Sequence, residues 1–188
     1  MQHPVTEQHE AVPETQHRVC VDLLNAALGK EIATTLQYLY FHARFEDARY
    51  LHLSQIMRRI AIAEMRHIEE FSDRILFLEG DIDMNPAFRT RQMEDPTEML
   101  RFAVQLEENT VRSYNEAARL AAEERDAATH KLFEETIAEE EAHLDTFRAE
   151  LDHLEQYGER YLALQAEAGS RHAAQELGRA NEAFEKGE

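Results

Sequence analysis

Tryptophan is absent from this sequence, cysteine occurs once, and 188 residues contain only six glycines and four prolines. So few turn formers over such a length argue against a sheet protein, whose hairpins need them, and leave long helices as the way to order the chain. The single Cys20 excludes an internal disulfide and a thiolate-held metal cluster. A lone thiol suits a reducing compartment, so a cytoplasmic location is expected. No apolar run approaches the roughly twenty residues of a membrane span, and the N-terminal segment around His3, Pro4 and Glu7 lacks the basic and apolar regions of a signal peptide. Neither membrane association nor export is expected. Basic residues are also scarce: 20 Lys and Arg stand against 38 Asp and Glu, a formal charge of −18. Such a surface repels polyphosphates and gathers cations, so no nucleic-acid partner is expected.

What the sequence has in quantity is Ala, Glu, Leu and Arg, and its length suffices for one core. Residues 1–18 are polar and broken by Pro4 and Pro13, which reads as a flexible arm; His3, His9 and His17 fit solvated histidines better than a metal-collecting tract. Apolar residues then recur at helical spacing in four segments. The first, 19–46, runs through Leu24, Leu28, Thr35 and Tyr38; the second, 52–79, through Met57, Ile60, Phe71 and Ile75, with Gly80 placed to cap it. The third, 97–123, runs through Leu100, Ala103, Thr110 and Tyr114, and the fourth, 127–157, through Phe133, Leu144, Phe147 and Leu154. Residues 80–96, with Pro86 and Pro96, are long enough to cross the length of a helix. A tight turn near Arg125 joins the last pair, Gly158 closes it, and Tyr161–Leu164 predicts a short fifth helix before a polar extension over 167–188. The expected class is an all-α four-helix bundle with one long crossover, occupying residues 19–166.

On each stripe one position that should be apolar is a carboxylate: Glu31, Glu64, Glu107 and Glu140. Two of them open Glu-x-x-His pairs, Glu64 with His67 and Glu140 with His143, and a spacing of three sets both side chains on one helical face. Glu31 to Glu64 spans 33 positions, as does Glu107 to Glu140. An offset of 76 maps Glu31 on Glu107, Tyr38 on Tyr114, Glu64 on Glu140, His67 on His143 and Phe71 on Phe147. The chain is therefore an internal repeat of two helical hairpins. The midpoints of the two Glu pairs fall near Asp47 and Glu123, where helices break, so all six groups meet at one level of the bundle.

One Glu from each of two helices and Glu-x-x-His from each of the others is the ligand set of carboxylate-bridged di-metal bundles. Unneutralised, four buried carboxylates would repel one another by an amount on the order of several kcal/mol, which two divalent cations cancel. Carboxylate and imidazole donors suit iron or manganese better than a closed structural zinc site, and Fe(II) is preferred. Tyr38 and Tyr114 share the face of Glu31 and Glu107 and are placed to bond the carboxylates, to supply an electron or simply to pack. Glu69, Glu70, Glu139 and Glu141 lie off the stripes and read as solvated. Met65, one position after Glu64, points about 100° away and out of the bundle, where packing in an interface would suit it. Ile32, Leu36 and Leu39 form a second apolar row on the first helix that one bundle cannot bury together with its core face, so a partner chain is expected there.

The segments Leu28-Gly-Lys-Glu-Ile, Gln37-Tyr, His42-Ala-Arg, Glu64-Met-Arg-His, Arg74-Ile-Leu-Phe-Leu-Glu-Gly and Glu140-Glu-Ala-His resemble those of bacterioferritins, over about residues 19–166. The resemblance implies a ferritin-like fold with a ferroxidase centre built by Glu31, Glu64, His67, Glu107, Glu140 and His143. That centre would hold two Fe per chain and oxidise Fe(II) with O2 or H2O2, and the product would mineralise inside a shell of 24 or 12 subunits built from two-fold dimers. It further implies that Met65 ligates a haem shared between two chains. The chain departs from the family where Arg58, Arg59 and Ala63 replace His and acidic residues on the inner surface, and in its longer termini. Two other readings remain: a rubrerythrin-like di-iron peroxidase or oxidase, weakened by the absence of Cys-x-x-Cys pairs, and a non-catalytic haem-binding scaffold.

Overall fold

The computed structural model describes residues 14–186, with side chains described for 18–175 and 179. Five helices follow in order: α1 (Glu14–Asp47), α2 (Leu51–Phe77), α3 (Pro96–Glu123), α4 (Ala127–Tyr157) and α5 (Glu159–Lys186). No strand occurs among the described residues. None of these helices is long and apolar enough to cross a membrane. α1 pairs with α2 and α3 with α4 as two hairpins, which pack together chiefly through α1 against α3 and α2 against α4.

The helix ends follow local chemistry. Asp95 caps α3 by accepting from the Glu98 amide at 2.8 Å, and Pro96 takes the first position, where its missing N–H is no loss. Asp126 caps α4 by accepting from the Thr129 amide at 3.0 Å and receives the Arg74 guanidinium at 2.6 Å, tying the end of α2 to the start of α4. The two hairpin turns are closed by non-glycine residues with positive φ, Arg49 at 63° and Arg125 at 58°. The end of α2 differs from expectation. The left-handed residue is Glu79, with φ 58°, and not Gly80. Gly80 serves close packing: a Cβ there would lie 2.6 Å from a methyl of Val21.

Residues 80–95 run alongside α1 without helix or strand, held to it at several points. Asn25 donates to Asp81 O and accepts from the Asp83 amide, Gly29 O accepts from the Ala87 amide at 2.7 Å, and the Gln37 amide group both donates to and accepts from the Arg91 backbone. The Tyr40 hydroxyl then donates to Met93 O at 3.0 Å. This crossover carries the chain back to the end where α2 began, so that α3 descends parallel to α2.

The core divides into two apolar clusters. One gathers Tyr38, Phe41, Phe45, Leu53, Met57, Leu100 and Phe147; the other gathers Leu24, Leu28, Phe71, Ile75, Tyr114 and Phe133. Each fully buried large apolar side chain contributes roughly 1.5–3 kcal/mol, and the two clusters together can sustain a costly polar layer between them.

Two boundaries differ from the sequence reading. α1 begins at Glu14, so residues 14–18 of the expected arm are helical, while His3 and His9 lie outside the described residues, as does the side chain of His17. The fifth helix is not short: α5 has 28 residues and absorbs most of the segment expected as a polar extension. It packs on α2 and α4, and Gly169 sits so close to the Arg49 carbonyl that a Cβ would meet it at 2.2 Å.

Candidate metal centre

Between the two apolar clusters the structure brings together all six residues picked out by the repeat. Glu31, Glu64, His67, Glu107 and Glu140 are buried, and His143 is 13% exposed. Their ligand atoms form two overlapping groups, Glu31, Glu64, His67 and Glu140 in one and Glu64, Glu107, Glu140 and His143 in the other, each with atoms within 4.8 Å of one another. Glu64 and Glu140 belong to both groups, whereas Glu31 and Glu107 each belong to one.

Nδ1 of His67 lies 3.0 Å from Glu64 Oε2 and 3.1 Å from Glu140 Oε1. Nδ1 of His143 lies 3.2 Å from both Glu140 Oε2 and Glu64 Oε1. Both imidazoles thus aim the same nitrogen at the carboxylates. The tyrosines act across the repeat: Tyr38, on the helix of Glu31, donates to Glu107, and Tyr114, on the helix of Glu107, donates to Glu31. Of the roles open to them in the sequence, bonding the carboxylates is seen here, in place of plain packing.

Burial in this layer disfavours charged carboxylates that lack a compensating partner. Burial first, and neighbouring carboxylates second, push the Glu64 and Glu107 carboxyls well above the usual range. Burial works the same way on Glu140, but bonds from His143 and His67 outweigh it and hold that carboxyl low. Burial would lower both imidazoles, and the surrounding carboxylates raise them instead. Three buried oxygens, Glu64 Oε1, Glu107 Oε2 and Glu140 Oε1, have no properly directed hydrogen-bond donor. Acceptor-only oxygens left open in a dry core fit divalent cations, which complete them without a proton.

Met65 stands on the outer face of α2, 50% exposed, beside exposed Ile62, and Leu36 and Leu39 of α1 are exposed as well. The sequence reading missed Glu139. It lies one position off the stripe and reads as solvated, yet its carboxylate accepts from His67 Nε2 at 3.3 Å and from Arg66. Its only sequence signal is its place beside Glu140, which Glu141 shares.

The profile of the ferritin-like domain matches residues 21–157. A bacterioferritin of Desulfovibrio desulfuricans is 31% identical over 143 residues, covering 76% of this chain and 80% of that protein. The chain belongs to the bacterioferritin family. The bacterioferritin of Brucella melitensis is likewise 31% identical, over 78% of this chain and 91% of its own. Among solved structures, the D. desulfuricans bacterioferritin, whose di-iron site has been seen in different catalytic states, superposes with a TM-score of 0.80 at 30% identity over 81% of this chain and 90% of its own. That of Rhodobacter capsulatus, with a metal-free dinuclear site and a haem iron, reaches 0.74 at 30% identity over 77% and 91%. As a bacterioferritin, the chain has a family role in iron storage and iron oxidation, and its buried carboxylate and histidine cluster suits a metal.

Proposed function

We propose that the protein is a ferroxidase that takes up two Fe(II) per chain as substrate, oxidises them with O2 or H2O2 and passes the ferric product to a mineral inside an oligomeric shell. The observation that carries this reading is the pair of ligand groups sharing Glu64 and Glu140, with open acceptor oxygens facing inward. Glu31 and His67 complete one position, Glu107 and His143 the other. Each Fe(II) loses one electron to the oxidant, and the negative layer favours the higher charge of the product. Protons held on the raised carboxyls and imidazoles of the metal-free site leave as cations enter. Tyr38 and Tyr114 orient Glu107 and Glu31 from behind by donating to them.

In this reading the di-iron ligands all lie within residues 19–166, and the protein works in the cytoplasm. The shell, of 24 or 12 chains, is built from two-fold dimers that cover Leu36, Leu39 and Met65. A half-exposed methionine beside exposed Ile62 fits a haem ligand, and Met65 from each of two chains would hold one haem between them, which would supply an electron-transfer group.

Two folded variants, Glu64→Ala and His143→Ala, test the assignment by the initial rate of aerobic Fe(II) oxidation at about neutral pH. A loss of roughly 100-fold or more is expected, since each removes a ligand from the centre. Parent-like rates in both would overturn the reading.

A further inference from the structure

The repeat delivers two imidazoles to the centre from equivalent positions, but their surroundings are unequal. Behind His67, the ring nitrogen turned away from the site donates to Glu139, 3.3 Å away. Glu139 is in turn held by Arg66, whose guanidinium also reaches Glu70 at 3.6 Å. The offset of 76 positions that carries His67 onto His143 carries Glu139 onto Ala63, Arg66 onto Ala142 and Glu70 onto Thr146. Two of these replacements have no polar side-chain atom, and the Thr146 hydroxyl is spent on its own helix, donating to Ala142 O at 2.8 Å. Nε2 of His143 has no partner among the described residues. One imidazole is buttressed by a three-residue ionic chain and its twin by none.

We propose that Glu139 is a positioning residue that makes the two halves of the centre unequal, so that the position formed by Glu31, Glu64, His67 and Glu140 binds its cation more tightly than the one completed by Glu107 and His143. The inference rests on the di-metal reading above. An acceptor on the far nitrogen fixes the tautomer in which Nδ1 is free to bind metal, restrains ring rotation and makes the ring a better donor. His143 must select its tautomer against water and can turn without breaking a protein bond. Loading is therefore ordered, with the His67 half filling first and the His143 half exchanging its ion more readily.

The test is titration of the metal-free full-length protein with Co(II) under anaerobic conditions, followed by calorimetry and by the visible ligand-field absorption of the bound ion. The parent binds two Co(II) per chain in two resolved steps. Glu139→Ala weakens the tighter step by about 10- to 100-fold, the usual effect of losing such a partner, and leaves the weaker step in place. Glu139→Gln, which keeps an acceptor, recovers most of the loss. Ala63→Glu, at a partly exposed position that can take the larger side chain, tightens the weaker step. Two ions bound in indistinguishable steps, or a Glu139→Ala variant that shifts both steps equally or neither, would overturn the inference and leave the di-metal reading standing. Fewer than two Co(II) per chain in the parent would overturn both.

Discussion

A carboxylate buried among other carboxylates lowers stability until a cation joins it, and Glu107 is in this position. Its Oε2 has no donor, and burial and neighbouring acids push its carboxyl up. Glu107→Gln keeps the shape and an acceptor for Tyr38 while removing an ionisable acid whose charged form the buried layer disfavours. It is expected to stabilise the metal-free protein by an amount on the order of 1 kcal/mol while weakening metal binding. Thermal unfolding with and without Co(II) reads both effects: the variant should melt higher than the parent without metal and gain less from it. Met65 offers a separable change. Met65→Ala should abolish haem absorption in protein expressed with haem supplied, and leave Fe(II) oxidation by the isolated chain's centre within a few-fold of the parent, because the side chain points away from that site. Haem retained at parent stoichiometry would remove Met65 from the account.

The helices carry their own tests at their ends. Asp126 caps α4 and receives Arg74 and the Thr129 hydroxyl, and these contacts hold its carboxyl at about 2 against an ordinary 3.8, in spite of burial. A depressed value means that the contribution is present above about pH 4 and is lost as pH falls toward about 2. Asp126→Ala should therefore cost roughly 0.5–2 kcal/mol near neutral pH, with the gap to the parent narrowing on acidification through that window in denaturant titrations. Gly80→Ala forces a methyl into the stiff side chain of Val21 and should cost about 1–3 kcal/mol, measured the same way. The four bundle helices were legible because their apolar stripes are regular. α5 was not legible as one long helix, since it is polar and Ala/Glu-rich and shows no stripe beyond Leu164. Glu79 could not be told from Gly80 as the left-handed residue, because glycine is the usual choice and the packing of Val21 is invisible in a linear sequence. The six carboxylate and histidine positions were legible through their repeat. Glu139 was not, because its role depends on how α4 faces α2 and not on spacing within either helix.

The repeated hairpins converge on one polar layer, insulated by an apolar cluster on each side, and the outer face of the bundle leaves Leu36, Leu39, Ile62 and Met65 in the open. A site between the hairpins and a greasy outer face suit a subunit that oxidises iron inside itself and assembles around the product. α5 lies back on α2 and α4. The measurement that tests the central claim most directly is an aerobic Fe(II) titration of the metal-free protein, followed at about 300–350 nm, with particle mass determined on the same sample. A fast phase ending at two Fe(II) per chain is expected, then slower continued uptake in a large hollow particle. Oxidation no faster than in buffer, or a fast phase that saturates in a particle no larger than a dimer with no further uptake, would contradict it.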